Sequence, residues 1–153
     1  MERKTENSKI IKATKEELYN AFKEPKALEN WLVPGEMTAK IHNFNLMVGG
    51  GYEMSLTYPD SDIKSKGKTQ DKEDRYTAKF IELKPFENII QTTVFDSRDP
   101  NFQGEMKMSV NFESIENATK VTIIFENIPI GINLKDNEIG TDSSLEKLAH
   151  FVK

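Results

Sequence analysis

Groups able to do chemistry are few in this chain. It has no cysteine and two histidines, His42 and His150. Disulfides, thiolate nucleophiles and Cys-ligated metals are therefore excluded. The histidines lie far apart in sequence, and neither has a glutamate at metalloprotease spacing, so no metal site is expected. His42 falls in a strand-like run where Met37, Ala39 and Ile41 favour one face and Phe44 the other. In that run it is a candidate base. His150 sits beside the apolar stripe of the last helix and reads as a rim or surface residue.

Carboxylates are plentiful: Glu53, Asp74, Asp96, Glu105, Glu113 and Glu126. On alternating strands most should face water. Asp74 and Glu105 border apolar strands and are the candidates for general acid or base, because a carboxylate facing an apolar cavity has a raised pKa. Arg75 has two readings: it neutralises a ligand carboxylate, or it pairs locally within Lys72-Glu73-Asp74-Arg75. Gly67-Lys68-Thr69 has the ending of a phosphate-binding loop, but Asp62 stands where that loop needs its first glycine. Gly49-Gly50-Gly51 lacks dinucleotide-fingerprint spacing and precedes a strand, so it reads as a bulge or tight bend. No cofactor is expected.

A different set suits binding better than catalysis. Trp31, Tyr52, Met54, Tyr76, Phe95, Met106 and Met108 combine adaptable thioethers with aromatic rings, and tyrosine adds a polar tip. With Leu145 of the last helix they are the candidate lining of a ligand cavity. The same residues would equally build a plain core.

The elements that must position these residues follow from periodicity. Ser8–Ala13 is β-prone. Thr14-Lys15-Glu16-Glu17 has capping-box form and opens a helix to about Lys23. Pro25 suits the first turn of a second helix, with Leu28, Trp31 and Leu32 on one face, stopped by Val33-Pro34-Gly35. The period then becomes two, through Met37–Phe44, Tyr52–Tyr58, Tyr76–Phe80, Ile89–Phe95, Met106–Phe112 and Val121–Phe125. The charged Pro59–Asp74 stretch reads as a long hairpin tip or loop. A final helix is expected from about Ser143 to Val152, capped by Asp142 or Ser143, with Leu145, Leu148, Ala149 and Val152 as its stripe.

Sequential strands joined by turns form an antiparallel meander. The fold class is therefore α+β, with a curved sheet of about six strands around a C-terminal helix. One helix does not cover a strongly twisted sheet completely, which leaves room for a cavity.

Bulk composition agrees with a single domain over residues 1–153. The chain is 37% apolar and 30% charged, with net charge −4. A mildly acidic chain without a basic block is a poor nucleic-acid binder. Met1–Asn7 has no apolar signal region, and no run approaches the ~20 apolar residues of a membrane span, so a cytoplasmic protein is expected. Asn117-Ala118-Thr119 fits the glycosylation pattern by chance, in a turn.

The order of several motifs resembles the SRPBCC superfamily, the START-like and birch-pollen-allergen-like proteins. These are Lys12-Ala13-Thr14 leading to Leu18 and Phe22, Leu28–Trp31, Gly49-Gly50-Gly51-Tyr52, Tyr76–Leu83 before Pro85 and Ile89-Ile90, Gly104-Glu105-Met106, and Ser144-Leu145 with Leu148. The branch it is most similar to is that of the C-terminal domain of the activator of the ninety-kilodalton heat-shock chaperone's ATPase. The resemblance covers nearly the whole chain. It implies a helix-grip fold with a deep cavity between sheet and C-terminal helix. The Pro59–Asp74 stretch departs from the family in being longer and more polar. Relatives carry lipids or aromatic metabolites, act as cyclases or hydrolases, or touch a chaperone. Three functions are therefore expected alternatives: binding of a small apolar ligand, catalysis by a cavity carboxylate, or a chaperone contact carried by the resemblance alone.

Overall fold

The computed structural model describes residues 3–33, 35–59 and 73–152. Gly67-Lys68-Thr69 and most of the Pro59–Asp74 stretch lie outside the described residues. A strand, β1 (Lys4–Ile11), leads into two short helices, α1 (Lys15–Asn20) and α2 (Pro25–Trp31). Six strands follow: β2 (Thr38–His42), β3 (Gly51–Thr57), β4 (Glu73–Lys84), β5 (Asn88–Phe95), β6 (Met106–Ile115) and β7 (Ala118–Glu126). A single 3-10 turn over Pro100–Phe102 precedes β6, and α3 (Leu134–Phe151) ends the fold.

All strands pair antiparallel in the order β1-β7-β6-β5-β4-β3-β2. The sheet thus has seven strands where the periodicity gave about six. A bulge in β4 between Phe80 and Glu82 shifts its register against β5, and such a bulge sharpens local twist. The helices lie on the sheet's inner face, in a helix-grip arrangement.

Local chemistry explains the starts. The Thr14 hydroxyl accepts from the Glu17 amide at 3.1 Å, and the Glu17 carboxylate accepts from the Thr14 amide at 3.1 Å, closing the capping box. Pro25 occupies the first turn of α2. The glycine run is a close approach to β4. A Cβ on Gly51 would overlap the Ala78 carbonyl, and one on Gly50 would lie 2.6 Å from the Asn45 carbonyl oxygen.

Asn43 explains why Phe44 defied the strand alternation. Its φ of 53° reverses the chain. Phe44 then stacks on Tyr52 at 5.8 Å even though Ile41, three residues back, also faces the core.

The last helix is longer than its apolar stripe. It starts about two and a half turns before Ser143, and Asn133 rather than Asp142 or Ser143 is its cap, accepting from the Asp136 amide at 3.0 Å. The amphipathic signal is confined to the C-terminal half, where Leu145 and Leu148 are buried. The N-terminal half carries Asn137, Gly140 and Thr141 on its inner side, and these have no apolar period to detect.

Polar contacts hold that half in place. Asn7 Nδ2 donates to Asp142 Oδ1 at 2.7 Å and to the Glu138 carbonyl at 3.1 Å. Asn137 Nδ2 donates to Thr5 Oγ1 at 2.9 Å. On the other side Lys147 Nζ donates to the Val33 carbonyl at 2.6 Å and to that of Gly35.

The principal core fills the end of the sheet beneath α1, α2 and the C-terminal half of α3. Trp31 is fully buried there, with its indole N–H donating to the Ala21 carbonyl at 2.9 Å and its ring edge-on to Phe22 at 4.6 Å. Met106, Ile128 and Ile132 form a second, smaller cluster.

Candidate functional site

Between the two clusters the helix stands off the sheet. A pocket of about 900 Å³ occupies the gap. Its sheet wall is built from inward positions of five neighbouring strands: Leu56 on β3, Asp74 and Tyr76 on β4, Gln91, Thr93 and Phe95 on β5, Met106 and Met108 on β6, and Ile123 and Phe125 on β7. Register places them side by side, since Thr93 pairs with Ala78 and Met106, and Gln91 with Phe80 and Met108. Residues directly opposite in antiparallel strands share a face. The helix wall is Asp136, Asn137, Gly140, Thr141 and Ser144, the small polar stripe that keeps α3 away from the sheet. Glu36, Phe102, Gly131 and Ile139 are further, more exposed lining residues.

The candidate residues divide into two groups. Tyr76, Phe95, Met106 and Met108 line the pocket. Trp31, Tyr52, Met54 and Leu145 belong to the packed core and do not line it. The division follows depth along the sheet. Trp31 and Leu145 lie at the end that α1 and α2 close, and Met54 is covered by Ile41 and Tyr76.

Tyr52 is nonetheless connected to the pocket. Its hydroxyl donates to Gln91 Oε1 at 3.2 Å, and the ring meets Tyr76 edge-on at 6.3 Å. The Tyr76 hydroxyl reaches Met54 Sδ at 3.0 Å. Burial raises the Tyr52 phenol above its ordinary value. Tyr76 is pushed well above its ordinary value by burial and by the neighbouring Tyr52. Both are neutral hydrogen-bonding groups at physiological pH, unsuited to act as phenolate bases.

Of the carboxylates singled out, Asp74 is buried in the pocket wall, where Tyr58 donates to its Oδ2 at 3.3 Å. Glu105 is exposed and outside the lining, because it precedes β6 on a loop. Asp96 and Glu113 are exposed. Glu126 pairs with Lys107 at 3.9 Å. Arg75 and Glu53 form an ion pair at 3.1 Å, both outside the pocket lining. His42 is half-buried beside Ser55 Oγ at 3.3 Å, also outside the lining, and His150 is exposed on α3. Among the described residues no group of three or more His, Asp or Glu side chains is placed to hold a metal ion.

Sequence reasoning passed over Gln91, Thr93, Thr141 and Ser144, all buried and all lining the pocket. A signal existed for the first two. In Ile89-Ile90-Gln91-Thr92-Thr93-Val94-Phe95 they occupy the inward positions of an otherwise apolar face. Polar residues at core positions mark either a hydrogen-bonded core or a wet cavity.

Comparisons with known proteins extend over the same chain. A family model described as Activator of Hsp90 ATPase homolog 1-like protein matches residues 12–153. The crystal structure of a protein from Chromobacterium violaceum superposes with a TM-score of 0.86 at 26% identity, covering 98% of this chain and 96% of that one. A solution structure from Arthrobacter aurescens has a TM-score of 0.79 at 18% identity, covering 98% and 86%. A crystal structure from Rhizobium loti has a TM-score of 0.74 at 21% identity, covering 99% and 97%. No curated protein sequence matches. Among the described residues no helix is long and apolar enough to cross a membrane.

Proposed function

This chain belongs to the activator of Hsp90 ATPase homolog 1-like family, and from that premise we propose that it holds a small, largely apolar molecule between its sheet and its last helix. The observation that carries the reading is the pocket of about 900 Å³ walled by Tyr76, Phe95, Met106, Met108, Ile123 and Phe125. Ligand sites in general are concave spaces of roughly 300–1,000 Å³, mostly apolar, with a few placed polar groups. Burial of the ligand supplies roughly 25 cal/mol per Å² of apolar area removed from water. The two methionines adapt to an irregular guest.

The test has two arms. Native mass spectrometry of protein purified from its own cells should detect a bound small molecule. Protein stripped by unfolding and refolding should take up the neutral fluorophore N-phenyl-1-naphthylamine with a blue shift, and Met108→Trp should reduce that uptake by filling the space. A refolded protein that leaves the fluorophore in water ends the reading.

A second reading is favoured by one observation, the Asp74 carboxylate in the pocket wall. A carboxylate facing a bound substrate serves as general acid or base in a cyclase- or hydrolase-type reaction. Turnover of p-nitrophenyl acyl esters that disappears in Asp74→Asn, with fluorophore uptake unchanged, is its expected mark. Turnover that survives the substitution removes Asp74 from the chemistry.

A further inference from the structure

Two polar residues on the pocket's sheet wall carry a side-chain donor that has no protein partner among the described residues. Gln91 is 4% exposed and Thr93 3%. They lie two residues apart on β5, on the same inward face, and both line the pocket. Among the described residues the Gln91 side chain makes one hydrogen bond, from the Tyr52 hydroxyl to Oε1 at 3.2 Å. In the structure the amide turns its oxygen toward Tyr52, which leaves the NH₂ without a protein partner among the described residues. Thr93 makes no side-chain hydrogen bond among the described residues.

Neither donor is sealed off, since the buried side-chain atoms without a partner among the described residues are Asn7 Oδ1 and Asn88 Oδ1; both donors therefore open onto the pocket, where a guest lacking an acceptor would leave them unmade at a cost of roughly 1–3 kcal/mol. A pocket that collects two of them side by side is shaped for an acceptor. Gln91 Nε2 can only donate, and a threonine hydroxyl can donate. A single oxygen with two lone pairs satisfies both.

Charge narrows the class further. Apart from the hydrogen-bonded Asp74, the charged side chains among the described lining residues are Glu36 and Asp136, both acidic. A carboxylate or phosphate brought into this space meets like charge and loses its hydration. We infer that the pocket selects an uncharged ligand bearing a carbonyl oxygen, which accepts from Gln91 Nε2 and Thr93 Oγ1 while Tyr52 fixes the Gln91 amide. This assignment rests on the ligand-binding reading above and adds to it the functional group and the two residues that choose it. Ketones, esters and amides of apolar molecules are the class; free acids are disfavoured.

A matched set of probes separates the two levels: 2-acetylnaphthalene, 2-ethylnaphthalene and 2-naphthoate, titrated against refolded protein by intrinsic fluorescence or calorimetry. Hydrophobicity alone favours the ethyl compound. The expected result is the reverse, with the ketone tighter than the ethyl compound by about tenfold, the worth of one to two net hydrogen bonds, and the carboxylate weakest.

Thr93→Val keeps the side-chain shape and should cut the ketone's advantage about fivefold. Gln91→Leu should abolish it, and Tyr52→Phe should reduce it by freeing the amide to turn. If Gln91→Leu fails to fold, the unaltered protein and Thr93→Val still decide. Tight binding of the ethyl compound at or above the ketone overturns the carbonyl assignment and leaves the apolar pocket standing. A ketone preference untouched by Thr93→Val and Gln91→Leu overturns the two residues. Failure of all three probes to bind overturns the pocket reading and this inference together.

Discussion

Filling the gap under α3 is a direct physical test of the architecture. Ser144 faces the pocket from the helix, is buried, and makes no side-chain hydrogen bond among the described residues. Ser144→Leu replaces its hydroxyl with an isopropyl group, which adds three carbons. Each buried carbon contributes about 0.8 kcal/mol, which gives roughly 2.4 kcal/mol. Ordering the leucine rotamer takes back about 0.5–1 kcal/mol. Leucine also has the better helix propensity by a few tenths.

The net gain is about 1.5–2 kcal/mol, because the new atoms enter space that already exists. For a chain of this size that raises the Tm by roughly 3–8 °C. Val110 is the contrast. It is fully buried in the packed part of the same sheet, where Val110→Leu forces an overpacked core and should cost about 1–3 kcal/mol.

Urea denaturation and calorimetry of refolded, ligand-free protein measure both, so that bound ligand does not contribute to stability. Ser144→Leu should also reduce fluorophore uptake. Destabilisation by Ser144→Leu comparable to that of Val110→Leu would show that side chains already fill the space under the helix.

Further outcomes follow from single contacts. Tyr52→Ala should lose about 3–5 kcal/mol by emptying a fully packed ring site, whereas Tyr52→Phe should lose about 1 kcal/mol, both read from urea midpoints. The raised phenols make alkaline behaviour specific. The native state holds the Tyr52 and Tyr76 protons above pH 10 while the unfolded chain releases them, so stability is intact below pH 10 and falls as pH climbs beyond it. In ultraviolet titration these two should ionise only with cooperative unfolding, and Tyr52→Phe should shrink that step by one phenol. Gly51→Ala should unfold the protein or shift β3 from β4, visible as lost hydrogen-exchange protection, because the new methyl meets the Ala78 carbonyl. Thr14→Ala removes the α1 cap and should cost about 1 kcal/mol in the same denaturation assay.

Much of the molecule could be read from residue order. The capping box at Thr14, the alternation in Met106–Phe112 and the Leu145/Leu148 stripe each encode an element locally, and the structure contains all three. Fold class was therefore legible, as was the set of methionines and aromatics from which a pocket would be drawn. Which of them would reach it was not. Tyr52 and Tyr76 look alike in sequence, each at an inward position of an alternating strand. One is sealed in the core and the other opens onto space, because Tyr76 sits opposite the lining residue Phe95 while Tyr52 sits opposite the buried Ala78, two residues further along β4.

Hydrophobic period, turn residues and caps are properties of neighbours along the chain, and they determined the elements, their antiparallel order and the sense in which each strand faces inward. The distance between α3 and the sheet is no such property. It results from small polar residues at Asn137, Gly140, Thr141 and Ser144 lying opposite β5 and β6, across some fifty residues of chain, while Leu145 and Leu148 dock closely one turn further on. Only the tertiary arrangement decides where a helix touches and where it stands clear, since packing acts between surfaces that the sequence keeps far apart.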